Sequence, residues 1–327
     1  MWRWISILAI GFGVASSATI AQEGAYPSHT VRIIAAAAPG GNPDVLARLL
    51  AQRLTESFNN PFVVENVPGA GGVVAAARVA GAPNDGYMLM INDSGAMAIN
   101  VAMNPDLTYK PLQDFTAITA LATVPTVLVV IPSLPAKTLP EFIALAKSKP
   151  GVMNYGSAGT GSIHHLTMAI FAERAGINLL HVPYRGGTAM VNGLLTGEIQ
   201  AGWSGIPNVV SLIKAGQLRA LCVSVVKRSS ALPDVPTCAE LGFSGFDIAD
   251  MLGLLSSAGV SPTIVAQLRS AVATAMREPA MIQRMITLGM EMQENGTAQY
   301  AQFMKVDLSR YETVVNKLNL HINPKKE

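Results

Sequence analysis

The sequence predicts an α/β protein of two lobes, each a mostly parallel sheet flanked by helices, with a ligand cleft between them. Three observations predict it. Strand–glycine loop–helix units recur along the chain, as parallel sheets require. A β-rich run at residues 117–131 is long enough to leave one lobe and enter another, and residues 246–255 are apolar enough to return. Beyond residue 255 the pattern is helical, so these helices must cover a sheet already built. Half of the 327 residues are hydrophobic and 13% are charged, which is material for two cores and argues against disorder. The path assigns residues 22–124 plus 250–327 to lobe 1 and residues 125–249 to lobe 2.

Residues 1–21 read as a signal peptide rather than as part of the fold. Arg3 gives a positive start, residues 4–15 form an apolar stretch too short to span a bilayer comfortably, and small residues follow. Cleavage after Ala18 or Ala21 fits, and no cysteine marks a lipid anchor at that boundary. No later segment reaches 18 uninterrupted apolar residues, so a soluble exported protein is expected.

The first unit, VRIIAAAAPGGNPDVLARLL at residues 31–50, sets the plan. The apolar run at 31–38 is a strand covered on both faces. Pro39, Gly40 and Gly41 break it, Asn42 suits an N-cap, Pro43 the first helical position, and Asp44 the first turn. Val45, Leu46, Leu49, Leu50, Leu54 and Phe58 share one helical face. The turn therefore places free backbone N–H groups at a helix N-terminus, an anion site built from backbone. A second unit repeats it: a strand at 152–155, the loop Gly156, Ser157, Ala158, Gly159, Thr160, Gly161 and Ser162, then a helix carrying Ile163, Leu166, Ile170 and Phe171. A third places Ser94 at the carboxyl end of the strand 87–91, where ligands of open α/β sheets gather. The helix opened by Thr138 with Glu141 carries a capping box.

Several chemistries are excluded. Neither glycine loop has the Lys-Ser/Thr of a phosphate loop or the full dinucleotide spacing with its downstream acid, so no cofactor is expected. Five histidines form no metal spacing with Asp or Glu. Net charge is +2 with no basic stripe, which disfavours nucleic acid. Ser162 and His165 lie three apart on one helix turn, yet no nucleophile elbow and no acid partner accompany them, so no enzyme is expected. Ser162 reads instead as N-cap and ligand contact. His165 is either a supporting residue behind the ligand or a satisfied helix histidine, and His164 faces solvent. Tyr184 and Arg185 follow a strand and either border the cleft or turn into solvent. Trp203 is either cleft wall or packing between lobes. Cys222 and Cys238 are either two buried thiols or a disulfide, which export permits.

The mature chain resembles the periplasmic substrate-binding proteins of tripartite tricarboxylate transporters, the Bug-type receptors. The likeness runs through YPSHTVRII, APGG with DVLARLLAQRL, VVENVPGAGG, NDGYMLM, LPAKTLPEFIALAKSKPG, MNYGSAGTGSIHHL, HVPYRGG, ALPDVP and GLLSSAGVSP, over roughly residues 26 to 320. It implies a periplasmic-binding-protein-like fold, a periplasmic location and a small carboxylate-bearing ligand, and the chain path that leaves one lobe and returns to it leads us to expect a monomer. The carboxylate would be held by Pro39, Gly40, Gly41 and Asn42 from one lobe and by the loop from Ser157 to Ser162 from the other. Partners would be transporter membrane subunits or, alternatively, a sensor kinase. The chain departs from the family at Ala36, Ala37 and Ala38, where a bulky Pro/Phe segment is usual, and at Asn42-Pro43, where Gly-Thr is common. Ser204 replaces a common acid and Met251 a common aromatic. Since Ser204 offers no charge to an amine, the expected ligand carries one carboxylate and a neutral, aromatic or aliphatic, remainder.

Overall fold

The computed structural model describes residues 26–293 and 296–322, so the segment read as a signal peptide lies outside the described residues. The strands are β1 (Val31–Ala35), β2 (Phe62–Asn66), β3 (Met88–Asn92), β4 (Phe115–Val130), β5 (Asn154–Ser157), β6 (Leu180–Pro183), β7 (Ala201–Gly205), β8 (Arg219–Val223), β9 (Ala249–Ser257) and β10 (Glu291–Met292). They form one curled sheet in the order β2-β1-β3-β9-β4-β7-β5-β6, with β8 and β10 added against β4.

The sheet has two halves joined by its longest strand. β4 runs antiparallel to β9 from Phe115 to Pro125, then antiparallel to β7 from Thr126 to Val130. Pro125 supplies no N–H to a ladder, and the change of partner falls beside it. Ser224 ties both crossings. Its N–H donates to Thr126 O at 2.8 Å, its carbonyl accepts Ile248 N–H at 2.8 Å, and its hydroxyl contacts Thr126 and Ile248. Between the named strands, parallel pairing is confined to β2-β1-β3 in one half and β6-β5-β7 in the other. The centre is antiparallel because a chain that passes through β4 and comes back through β9 must reverse its direction. The sheet is therefore mixed, where the sequence predicts a mostly parallel one.

Helices close each half on both faces. α1 (Asn42–Phe58) buries Leu46, Leu50 and Leu54 with Leu268 and Val272 of α8 (Pro262–Met276). On the opposite face α2 (Val73–Ala80) buries Ala75, Ala76 and Val79 beside Tyr300 and Met304 of the C-terminal helix. In the second half α4 (Leu139–Ser148) and α5 (Ile163–Ala175) bury Phe142, Leu166 and Phe171. α6 (Gly187–Thr196) and α7 (Ile206–Lys214) bury Met190, Leu194 and Val209 on the other side. The short α3 (Asn100–Met103) follows a π-turn, and α9 (Pro279–Leu288) precedes β10. Thr138, Ser162 and Ser261 cap α4, α5 and α8 through their hydroxyls.

One helix departs from the lobe assignment. α10 (Thr297–Leu318) puts Tyr300 and Met304 in the first half, but Tyr311 and Val315 in the core of the second. Lys317 reaches Glu173 of α5 at 3.2 Å. At 22 residues the helix is long enough to bridge both cores.

Cys222 and Cys238 are bridged, 16 residues apart in sequence. The bridge fastens β8 to the loop after it, where Cys238 N–H also bonds Val223 O at 2.9 Å. Replacing both cysteines by serine should lower stability by about 3 kcal/mol in the loop-entropy view. Urea unfolding of oxidised wild type against the double variant measures it. Two free thiols in denatured, unreduced protein would contradict the bridge.

Candidate functional site

A cavity of about 440 Å³ lies between the two halves. Its walls come from the carboxyl ends of β1, β2, β3, β5 and β6 and from the loops that follow them. This is where a ligand of a doubly wound sheet is expected, because strand ends fan apart and helix N-termini converge there.

Four helices of nine residues or more begin at or beside the cavity. α1 contributes Gly41, Asn42 and Pro43, and α5 contributes Ser162, Ile163 and His164. α6 contributes Gly186 and Gly187, and α7 brings Asn208 in its first turn. The residues preceding α1, α6 and α7 are Gly41, Gly186 and Gly205, and none supplies a side-chain cap. Apart from Pro43 and Pro207, which carry no N–H, their first-turn residues leave N–H groups open to a ligand anion, and the helix dipoles favour one. Arg185, exposed at the rim, adds a full positive charge.

The hydroxyls behave differently from the sequence expectation. Ser162 Oγ donates to Gly159 O at 2.7 Å and accepts His165 N–H at 3.3 Å. Ser157 Oγ is 2.7 Å from His181 Nε2 and accepts Gly159 N–H at 3.1 Å. Both shape the loop from within, so the loop presents backbone rather than hydroxyls. Asn42 is the first residue of α1 rather than its cap, and its Oδ1 is buried with no partner. Asp44 takes the capping work, accepting Gly40 N–H at 2.8 Å. Burial pulls its carboxyl upward, but Arg48, Gly40 N–H and Asn66 together hold it below the ordinary value.

The cavity gathers Gly41, Asn42, Ala158, Gly159, Ser162 and Tyr184 from the predicted set. It leaves others outside its wall. Pro39 and Gly40 lie just behind, with Pro39 O accepting the Thr188 hydroxyl at 3.2 Å. Thr160 is not part of the wall, and Gly161 faces Asn100 instead. Ser94 is buried in the first half, receiving Met251 N–H at 3.1 Å. Ser204 is fully buried in β7 and its hydroxyl turns to Gly205 O. Trp203 is neither cleft wall nor inter-lobe packing: it is fully buried in the second core, stacked on Phe246 at 5.5 Å. Residues alternate across a strand, and the α4/α5 side of β7 claims this one.

The two adjacent histidines exchange roles. His165 stacks on His181 at 4.3 Å, and its Nδ1 is 3.5 Å from Gly161 N–H. It forms no side-chain pair with Ser162. His164, expected in solvent, lines the cavity with both ring nitrogens buried and unpartnered. Burial pushes its imidazole down to about 4, so it is neutral at pH 7. Sequence reading also missed Asp93 and Asp250, which meet at the cavity from the ends of β3 and β9. Asp93 accepts Ala96 N–H at 3.1 Å and Asp250 accepts Ser94 N–H at 3.0 Å. Burial raises both carboxyls, and the charge of Asp93 raises Asp250 further. Asp93 keeps some solvent contact, so burial bears harder on Asp250.

A single amide clasps the walls together. Asn100 Nδ2 lies 3.2 Å from Gly71 O, 3.0 Å from Gly95 O and 3.1 Å from Gly161 O, so it bridges the loop before α2 to the loop before α5. Gly161 has φ +76°, and a Cβ there would stand 2.1 Å from Asn100 Oδ1. Only glycine accepts both conditions. Asn100→Ala should cost about 1–3 kcal/mol by leaving buried carbonyls unpaired. Denaturant unfolding measures the loss, and faster amide exchange in residues 158–162 should accompany it.

The histidines set a pH dependence. The unfolded chain takes up a proton at His164 near pH 6.5, the folded chain only near pH 4. Between these values the unfolded state binds more protons, so this contribution is full above pH 6.5 and is lost as pH falls toward 4. Asp93 and Asp250, with raised values, run the other way. His164→Gln removes one titration, so the stability gap between variant and wild type should shift by up to about 3 kcal/mol in the variant's favour between pH 7 and 4.5. Parallel melts at both pH values test it, and a constant gap contradicts a neutral buried imidazole.

The comparisons with known proteins agree with this geometry. The family model described as the tripartite tricarboxylate transporter family receptor, TctC, matches residues 46–320. BugT of Bordetella pertussis is 33% identical over 290 residues, covering 88% of this chain and 89% of that protein. An R. palustris protein solved with adipate superposes with TM-score 0.87 at 30% identity, covering 90% of this chain and 98% of that one. MatC of Rhodopseudomonas palustris, solved with bound malate, gives TM-score 0.85 at 31% identity over 89% of this chain and 100% of the other. With a two-lobed α/β fold, a cavity at the strand ends and a family model spanning most of its length, this chain belongs to the tripartite tricarboxylate transporter receptor (TctC, Bug-type) family.

Proposed function

We propose that this protein is a periplasmic receptor that captures a small organic acid by its carboxylate between the two lobes and delivers it to the membrane subunits of a tripartite transporter. The observation that carries the reading is the convergence of open helix N-termini from both halves, with Arg185 beside them, on one cavity. Each N-terminus contributes about 0.3–2 kcal/mol toward an anion, so several together, in a space closed to water, are needed for useful affinity. Adipate and malate in the two solved relatives are carboxylates of a size such a cavity admits. The disulfide fits an oxidising compartment, and among the described residues no helix is long and apolar enough to cross a membrane. Binding without conversion accords with Ser162 and His165, which form no nucleophile–base pair.

Capture of this kind works by hinge closure, and β4 with β9 supply the two strands that must flex. A carboxylate at a hundredfold excess over its Kd should add about 2.7 kcal/mol of stability. Thermal-shift and calorimetric screening of mono- and dicarboxylates checks this, together with mass spectrometry of any small molecule released from the purified protein. Small-angle scattering should show a smaller radius with the bound acid. A receptor that binds no carboxylate, and releases none, would refute the reading.

A further inference from the structure

We propose that the acid this receptor captures is a zwitterion: its carboxylate sits at the helix N-termini and a primary ammonium group sits against Asp93 and Asp250. This rests on the carboxylate reading above and replaces the neutral remainder expected from Ser204.

The first observation is an uncompensated pair of acids. Among the described residues Asp44 and Asp307 are buried acids that stand beside Arg48 and Arg310, at 2.9 and 3.2 Å. Asp93 and Asp250 have no such ion pair among the described residues, yet both line the cavity. Their backbone contacts do not account for the charge. Asp93 accepts from the N–H groups of Ala96 and Gly95, and Asp250 from the N–H and hydroxyl of Ser94; these donors are neutral, and an amide oxygen could accept from them without charge. Buried charge is kept where something pairs with it. The groups that face the pair from neighbouring elements are Tyr109, Tyr300, Tyr311 and Asp307; the cation beside them, Arg310, is taken by Asp307 at 3.2 Å and by the Tyr311 hydroxyl at 2.7 Å. The open side of the pair is the cavity, so the missing cation belongs to the ligand.

The second observation is independent of charge. Asn42 Oδ1, Asn208 Oδ1 and both nitrogens of His164 are buried without partners, and all three residues line the same cavity. Asn42 and His164 are more than nine-tenths buried. Two of these atoms can only accept a hydrogen bond, and a neutral imidazole adds a third acceptor and one donor. A carboxylate with a hydrocarbon tail brings no donor to them. A primary ammonium at the acid pair brings three donors and the positive charge that Asp93 and Asp250 lack, while the unpartnered atoms of Asn42, His164 and Asn208 mark the same cavity as one that a polar ligand completes. A second carboxylate would meet like charge at the pair, and a hydroxyl would satisfy acceptors while leaving the acids unneutralised.

The ammonium also draws the raised carboxyls toward ionisation, so binding near pH 6, where Asp93 is about half protonated, releases protons. The cavity can take several chain lengths, which the probes must span.

The experiment compares 2-aminobutyrate, 4-aminobutyrate and 6-aminohexanoate with 4-hydroxybutyrate, pentanoate and glutarate by calorimetry at pH 6 in buffers of different ionisation enthalpy. At least one amino acid should bind about tenfold or more tighter than the hydroxyl, alkyl and dicarboxylate probes. Its apparent enthalpy should change with the buffer, as proton release requires, and that of pentanoate should not. Asp93→Asn and Asp250→Asn each keep an acceptor for the turn; each should weaken the amino probe by about 10- to 100-fold and pentanoate by no more than about threefold. Two variants keep the test open if one fails to fold by circular dichroism. The zwitterion is overturned, with the carboxylate reading intact, if pentanoate, glutarate or 4-hydroxybutyrate binds as tightly as every amino probe, or if both folded variants bind the amino probe unchanged. Failure of every carboxylate overturns both readings. A released natural ligand that lacks a basic nitrogen overturns the zwitterion alone.

Discussion

The antiparallel pairing of β4 with β9, continued by β4 with β7, is the constraint on which everything else in this molecule depends. β4 is one 16-residue strand that partners both halves of the sheet, with register shifts after Ala117 and Ala120. Because the same strand belongs to both, the carboxyl ends of β1–β3 and of β5–β7 are brought to face one another across it. The cavity exists because of that shared strand. Ser224, bonded to both crossings through backbone and hydroxyl, fixes where the two halves part. A few residues at such crossings can absorb the dihedral change of lobe closure while each packed half moves as a body.

Charge of two kinds lines the cavity. One is made of partial positive charge, spread over helix N-termini that lack side-chain caps, and of Arg185. The other is made of the two carboxyls Asp93 and Asp250. The serine hydroxyls that would ordinarily be assigned to a ligand are spent on holding the loop before α5 in shape. The distinction between atoms that build a loop and atoms the loop presents follows from hydrogen-bond capacity: one hydroxyl has one proton to give. Rigidity of this kind places backbone donors in advance of the ligand, which lowers the entropy lost on binding.

Much of the fold is legible in local pattern. The apolar run followed by Pro39, Gly40 and Gly41 specifies β1, its turn and α1, because periodicity and glycine conformation are properties of a few neighbouring residues. The same holds for β5, its loop and α5, where Ser162 caps the helix as its sequence position suggests. The parallel character was overestimated because direction is not a local property: nothing within residues 249–257 encodes which way they run beside residues 115–130. The disulfide stood open between two readings until the backbone placed the two Cα atoms 5.2 Å apart. α10 shows the same limit, since an amphipathic pattern names a buried stripe but not the two cores that bury it.

The two-lobed α/β class, the glycine turns and the family are readable from residue order alone, because these rest on short-range steric preference and on ordered motifs along the chain. Tertiary structure decided which side chains the ligand meets. His164 and His165 differ by about 100° around one helix, and only the packing of α5 selects which of them faces the cavity. Trp203 could have faced either side of β7 until Phe171 and Phe246 filled the side it occupies. Asp93 and Asp250 are remote in sequence and carry no motif, and they become neighbours because β3 and β9 pair in register, with Asn92 opposite Gly253. Facing is set by what lies across the interface, and a sequence read residue by residue does not contain the other side.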